Sequence, residues 1–181
     1  VTVYADTPRW PRHGTVWGHL ISDTSLEELH ETAARAGLPG RAFDLDHYDW
    51  PESSRADLAA AGVRFVGDGE LTRRLIASGL RIRLADRPAA RARRTAAHAA
   101  ALGLDPVPRD LVVGLRGHAD PLPDLPGAFR LSRETPGGRT HVEAHDEDGR
   151  RAAAALLERL DALARAQGRE GFVGQAMDAP D

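Results

Sequence analysis

"TPRWPRHGTVWGH", residues 7–19, is the stretch on which the fold turns. Read locally, it is a loop. Two prolines, two glycines and two tryptophans interrupt any regular periodicity, and Pro and Gly are the strongest punctuators of local structure. With a loop here, the flanking segments alternate between strand and helix. "VTVYAD" before it is a β-branched and aromatic run that predicts a strand. After it, "DTSLEELHETAARAGL" places Leu26, Leu29, His30, Ala33 and Leu38 near helical spacing. Ser25 with Glu28, or Thr24 with Glu27, suits a capping box, and Gly37 suits the stop. A short strand over residues 42–45 follows. "PESSRADLAAAG" predicts a helix with Pro in its first turn, "VRFV" a third strand, and "DGELTRRLIASG" a third helix capped by Asp68. Strands separated by helical segments predict βαβ units. The expected fold is therefore three-layer α/β with a mainly parallel sheet, plus a smaller C-terminal α+β unit.

The remainder of the chain has a different character. Three segments are expected: an α/β domain over residues 1–80, a basic Ala/Arg-rich helical connector over 81–104, and a small α+β unit over 105–181. The connector begins "RIRLADRPAARARR", with six Arg against one Asp. Runs of like charge usually lie in water, so a solvated helix is expected. "AFRLSRE", "TPGGR" and "THVEAH" predict a hairpin turned by Pro-Gly. The last long helix starts near Asp148 as its cap and ends at Gly168. Its Leu156, Leu157, Leu160 and Leu163 form a stripe too apolar to face water. One hairpin and one helix make a thin core. The stripe is therefore expected to dock on its own hairpin and on the N-terminal domain, with dimerisation as the alternative. The chain is expected to be a monomer or homodimer.

Composition narrows the chemistry. The 181 residues contain no Cys, no Lys and no Asn. Disulfides, thiolate ligands, Cys nucleophiles and Schiff-base lysines are excluded. Anion recognition falls to Arg and to backbone N–H groups. The net charge of −3 gives no general attraction to nucleic acid. No apolar run is long enough to span a bilayer, and the first residues lack the layout of a signal peptide, so a cytoplasmic protein without membrane contact is expected.

The candidate chemistry gathers around "FDLDHYDWP", residues 43–51. In an open parallel sheet, ligands bind beyond the carboxyl ends of the strands. Asp6, Asp46, His47, Asp49 and Asp68 would all reach that edge. His47 and Asp49, two apart, share a face of an extended chain. Such a pair offers two metal ligands, or a base with its orienting carboxylate. The bland alternative is a polar turn in which Asp49 caps a helix. The loop 7–19 adds Arg9, Trp10, Arg12, His13, Trp17 and His19 over the same edge. Arg forks and Trp faces suit a phosphorylated aromatic ligand; Trp rings that merely pin the loop are the alternative. His30, beside Leu29, is expected as a core or boundary residue rather than a ligand. A second cluster, His141, Glu143 and His145, shares one face of a strand and offers metal-ligating side chains, against a plain solvent-facing hairpin.

Taken together, "VYADTPRWPRHGTVWGH", "SDTSLEELH", "HYD", Ala61–Gly62 and "GELTRRL" resemble a small bacterial and phage domain, the domain of unknown function 4031, over residues 1–80. The resemblance implies a compact unit and no particular activity. From the residues themselves, the leading expectation is a hydrolase acting on a phosphorylated or nucleotide-like small molecule with an anionic group. His47, Asp49 and His19 would be catalytic. Asp6, His47 and Asp49 would hold a divalent metal ion, which suits a hard and mixed donor set. Arg9, Trp10, Arg12, Trp17 and Tyr48 would bind substrate. The alternative is a non-catalytic module that binds a ligand, a protein or a nucleic acid, the last through Arg91, Arg93 and Arg94.

Overall fold

A computed structural model of the chain describes residues 2–12, 14–114 and 121–179. They form two compact units, Val1–Ala85 and Asp86–Asp181. The first unit holds six strands: β1 (Val3–Ala5), β2 (Trp10–Arg12), β3 (Thr15–Ser22), β4 (Phe43–Asp44), β5 (His47–Pro51) and β6 (Arg64–Phe65). Their order is β4-β5-β3-β1-β6, with β2 also paired to β3. Only β1 and β6 run parallel. Every other pairing is antiparallel.

The expectation of a mainly parallel sheet is therefore corrected, and the cause lies in residues 7–19. Trp10–Arg12 and the residues from Thr15 onward are strand rather than loop. β2 and β3 form a hairpin, with Trp10 opposite Trp17 and Arg12 opposite Thr15. Pro11 is tolerated because β2 pairs only with β3, as an edge strand does. β3 then continues alongside β1, so that Ala5 faces Leu20, and occupies the position a parallel neighbour would need. The second correction concerns "DLDHYD". It is two strands around a tight turn rather than one strand end. Leu45 sits at φ 64°, and the Asp46 N–H donates to the Asp44 carbonyl at 2.7 Å. The left-handed region is uncommon for a branched residue; here the turn aims Asp46 inward, where it is fully buried.

Three helices cover the sheet: α1 (Leu26–Arg35), α2 (Arg55–Ala60) and α3 (Asp68–Ala77). The predicted cap of α1 forms, with Ser25 accepting from the Glu28 N–H at 3.2 Å. Gly37, at φ 70°, follows its end. α3 begins one residue differently from expectation: Gly67 is the cap and Asp68 is the first helical residue. Alternation along the strands divides the side chains cleanly. Val3, Ala5, Leu20, Tyr48 and Trp50 pack with Leu29, Ala33 and Leu58 of α1 and α2. Tyr4 and Ile21 pack on the other face with Leu71 and Leu75 of α3. The unit is thus three-layer α/β with a mostly antiparallel centre.

The second unit contains α4 (Arg87–Leu102), β7 (Asp110–Val113), β8 (Phe129–Arg133), β9 (His141–Ala144), α5 (Glu147–Ala166) and β10 (Gly174–Asp178). Its sheet is antiparallel in the order β7-β10-β8-β9. The β8–β9 hairpin follows the sequence reading; β10, which occupies an interior position, was not anticipated. α5 is capped by Asp146, which accepts from the Gly149 N–H at 2.8 Å, rather than by Asp148. α4 is not the solvated connector expected from its charge. Its Ala99 and Leu102 enter one core with Leu111, Phe129, Leu131, Leu160, Phe172 and Ala176. α4 and β10 thus thicken the core that a hairpin and one helix would leave thin, and the leucine stripe of α5 finds its partners inside its own unit. Among the described residues, no helix is long and apolar enough to cross a membrane.

Candidate metal centre

Register brings the first unit's ionisable residues together. Asp6 follows β1, and its N–H donates to the His19 carbonyl at 3.1 Å. His19 stands opposite Asp49 across β3 and β5. Asp6, His19 and Asp49 therefore form a row across three strands, and His47 lies two residues along β5 on the same face. The site is a cross-strand row on the face that carries α3, not the carboxyl edge of a parallel sheet.

Each imidazole is held by its own carboxylate. His19 Nδ1 lies 2.8 Å from Asp6 Oδ2, while Asp6 Oδ1 accepts from the His19 N–H at 2.6 Å. His47 Nδ1 lies 2.7 Å from Asp46 Oδ1. Asp6 and Asp46 are buried, at 5% and 0% exposure. With Nδ1 engaged on both rings, each Nε2 is the nitrogen left for a ligand. His19, His47 and Asp49 each offer a donor atom, and these atoms lie within 4.8 Å of one another. His47 Nε2 and Asp49 Oδ1 are 3.4 Å apart. That is long for a hydrogen bond. It matches the separation of about 3.3–3.4 Å between two donors at roughly 2.0–2.1 Å from one tetrahedral ion. The two rings meet edge to face, with centroids 5.3 Å apart. No other group of His, Asp and Glu among the described residues converges in this way.

Without an ion, the charges of the cluster favour a protonated His47. Burial alone would depress the His47 imidazolium, but the hydrogen bond to Asp46 and the neighbouring Asp49 carboxylate outweigh it and lift the group to about 9. Burial would raise the Asp46 carboxyl; His47, the Ile82 N–H and Arg81 hold it below its ordinary value.

Close packing lies beneath the row. Trp50 is fully buried and donates from Nε1 to the His19 carbonyl at 3.1 Å. Gly18 makes this possible. A Cβ there would lie 2.7 Å from Asp6 Oδ1 and 2.9 Å from Trp50 Nε1.

Several expected site residues are placed differently. Asp6 is not in the convergent donor group; both its oxygens are engaged by His19. Tyr48 faces the opposite core, where its hydroxyl meets His30 Nδ1 at 2.7 Å. Its side chain alternates to the face of the sheet opposite His47 and Asp49. His30 is a boundary residue in an aromatic group with Phe43 and Tyr48, and burial lowers its pKa more than Glu27 raises it. Arg9 pairs with Asp68 at 2.9 Å. Trp10 is 63% exposed, with its ring 6.4 Å from that of His19, so it borders the site. Trp17, its partner in register, is partly buried. The side chain of Arg12 and all of His13 lie outside the described residues.

The second cluster does not converge. His141 and Glu143 are exposed on β9. Glu143 pairs with Arg130 at 2.9 Å, and His145 pairs with Asp124 and Asp146. The donor atoms of His141, Glu143 and His145 are not among those that converge in the described residues. The basic helix is likewise engaged: Arg94 forms an ion pair with Asp110, which also accepts from Thr95.

Sequence reasoning gave Asp46 no role, and it passed over Gly18 and Ile82. Asp46 carried a signal, as a carboxylate directly before a candidate ligand. Ile82 acts through its backbone N–H, which donates to Asp46 Oδ2 at 2.7 Å and leaves no trace in side-chain identity.

Residues 3–78 match the family described as "Protein of unknown function (DUF4031)". No curated protein matches the chain, and no solved structure does.

Proposed function

We propose that the first unit is a metal-dependent hydrolase acting on a phosphorylated or nucleotide-like small molecule. One observation carries this reading: three donors from His19, His47 and Asp49 converge, with both imidazoles pre-oriented by buried carboxylates. Two His and one carboxylate suit Zn²⁺ or a similar divalent ion, and three protein ligands leave a position for water. A divalent ion held by His19, His47 and Asp49 would supply Lewis acidity and an activated water for phosphoryl transfer. Asp6 and Asp46 keep the rings in the tautomer that presents Nε2. The exposed Trp10 ring offers a face on which a base or other planar group can stack.

The test combines metal content with hydrolysis of bis(p-nitrophenyl) phosphate. Purified protein should carry about one equivalent of a divalent transition ion. His19→Ala and His47→Ala should lose it, together with activity, while Tyr48→Phe keeps both. Metal-free protein that cannot be reconstituted would sink the proposal.

A second reading rests on one feature of the same cluster. A protonated His47 between Asp46 and Asp49 already balances charge without an ion. On that reading the unit is a non-catalytic binding module, and His47→Ala would change stability without changing metal content.

A further inference from the structure

Asp46 is shared between the candidate centre and a segment beyond the residues matched to the family. Its Oδ1 meets His47 Nδ1, and its Oδ2 accepts the Ile82 N–H, both at 2.7 Å. Arg81 lies 3.4 Å from the same Oδ2. The family match ends at residue 78, so the latch lies just outside it. The carboxylate is fully buried, so a lost partner would leave a charged oxygen uncompensated.

We propose that Asp46 is a positioning residue that couples metal occupancy at His19, His47 and Asp49 to docking of segment 80–82. This rests on the metal reading above. The carboxylate plane is set from both ends. When Ile82 donates to Oδ2, Oδ1 is fixed where it holds the His47 ring with Nε2 toward the ion. When the ion fixes the ring, the carboxylate is already ordered for Ile82. Coupling of this kind is reciprocal: the segment strengthens the metal, and the metal tightens the segment by the same factor.

Two measurements on the full chain test this. The first is Co²⁺ titration followed by its visible absorption, comparing wild type with Asp46→Asn. The amide is isosteric, but it cannot accept from both His47 and Ile82 as the carboxylate does. Affinity should fall about 10–100-fold, the usual effect of losing a partner behind a metal-bound His, and the spectrum should change. The second is hydrogen exchange of the Ile82 amide with and without Zn²⁺. Zn²⁺ should slow exchange in the wild type. This arm needs no variant, so it stands even if Asp46→Asn fails to fold. Wild-type affinity and spectrum in Asp46→Asn would overturn the proposal, as would Ile82 exchange indifferent to Zn²⁺. If the wild type binds neither Co²⁺ nor Zn²⁺, the metal reading falls and the coupling with it. If it binds both and either arm fails, only the coupling falls.

Discussion

His47 concentrates the chemistry of the first unit in one ring. Its Nδ1 is tied to Asp46, its Nε2 lies beside Asp49, and its pKa is lifted to about 9 against an ordinary 6.5. The sign of the pH dependence follows. A raised folded-state value means that the proton is bound more tightly in the folded chain than in the unfolded one. In metal-free protein, the resulting stabilisation should be fully present below about 6.5 and should decline as pH rises through about 9. Denaturant titrations from pH 6 to pH 10 measure this, with His47→Gln as the comparison. A wild-type profile as flat as that of the variant would remove the charged pair from the account. The reading that His47 and Asp49 share one face of an extended segment was available from their spacing. The identity of the carboxylate behind His47 was not, because a turn centred on Leu45 decides which way Asp46 points.

At the scale of elements, β3 organises the first unit. It joins β1, β2 and β5, and it contributes His19 to the centre and Leu20 to the core on its opposite face. Gly18 is the point where this strand admits both Asp6 and the Trp50 indole. Gly18→Ala should therefore displace buried groups rather than flexible surface atoms, and should destabilise the chain by about 1–3 kcal/mol. It should also loosen the Asp6–His19 contact, visible as a shift in the His19 ring resonances. A substitution neutral in both stability and His19 environment would contradict the close packing. β3 was hard to recognise because its partner β2 is only three residues long and holds Pro11, and because Gly14 and Gly18 punctuate the run. Local propensity argued for a loop; pairing on both sides of β3 overrode it. β10 was missed for a related reason. Gly, Gln, Ala, Met and Asp carry little strand preference, yet β7 and β8 flank it.

At the scale of the whole molecule, each unit has its own core. The second is built around Leu160, which is fully buried among residues from α4, β7, β8 and β10. Arg133, also buried, pairs with Asp161 on α5 and donates from Nε to the Phe172 carbonyl at 2.8 Å. Leu160→Ala removes a side chain from a close-packed site and should cost about 2–5 kcal/mol, since the cavity adds to the lost transfer energy. The change is readable by circular dichroism, to which the 20 residues of α5 contribute. All three Trp lie in the first unit, so their fluorescence reports on that unit rather than on α5. A loss below about 1 kcal/mol would mean that Leu160 is not packed as described.

The sequence alone determined the helices and the candidate chemistry. Periodicity located α1, α3 and α5, and the cap signal held at α1, because a helix is made of contacts between residues three and four apart and its signals are local. Clustered Asp, His and Trp marked the region of the centre for the same reason: residue identity limits what chemistry is available. The tertiary structure decided strand direction, the membership of α4 and which ionisable side chains converge. Strand pairing joins residues far apart in the chain, and a single hairpin at 10–22 converts an expected parallel sheet into a mostly antiparallel one. That same pairing sets His19 opposite Asp49, thirty residues away. It moves Asp6 from expected ligand to the carboxylate behind His19. Spacing along one strand cannot encode contacts that exist only where separate strands meet.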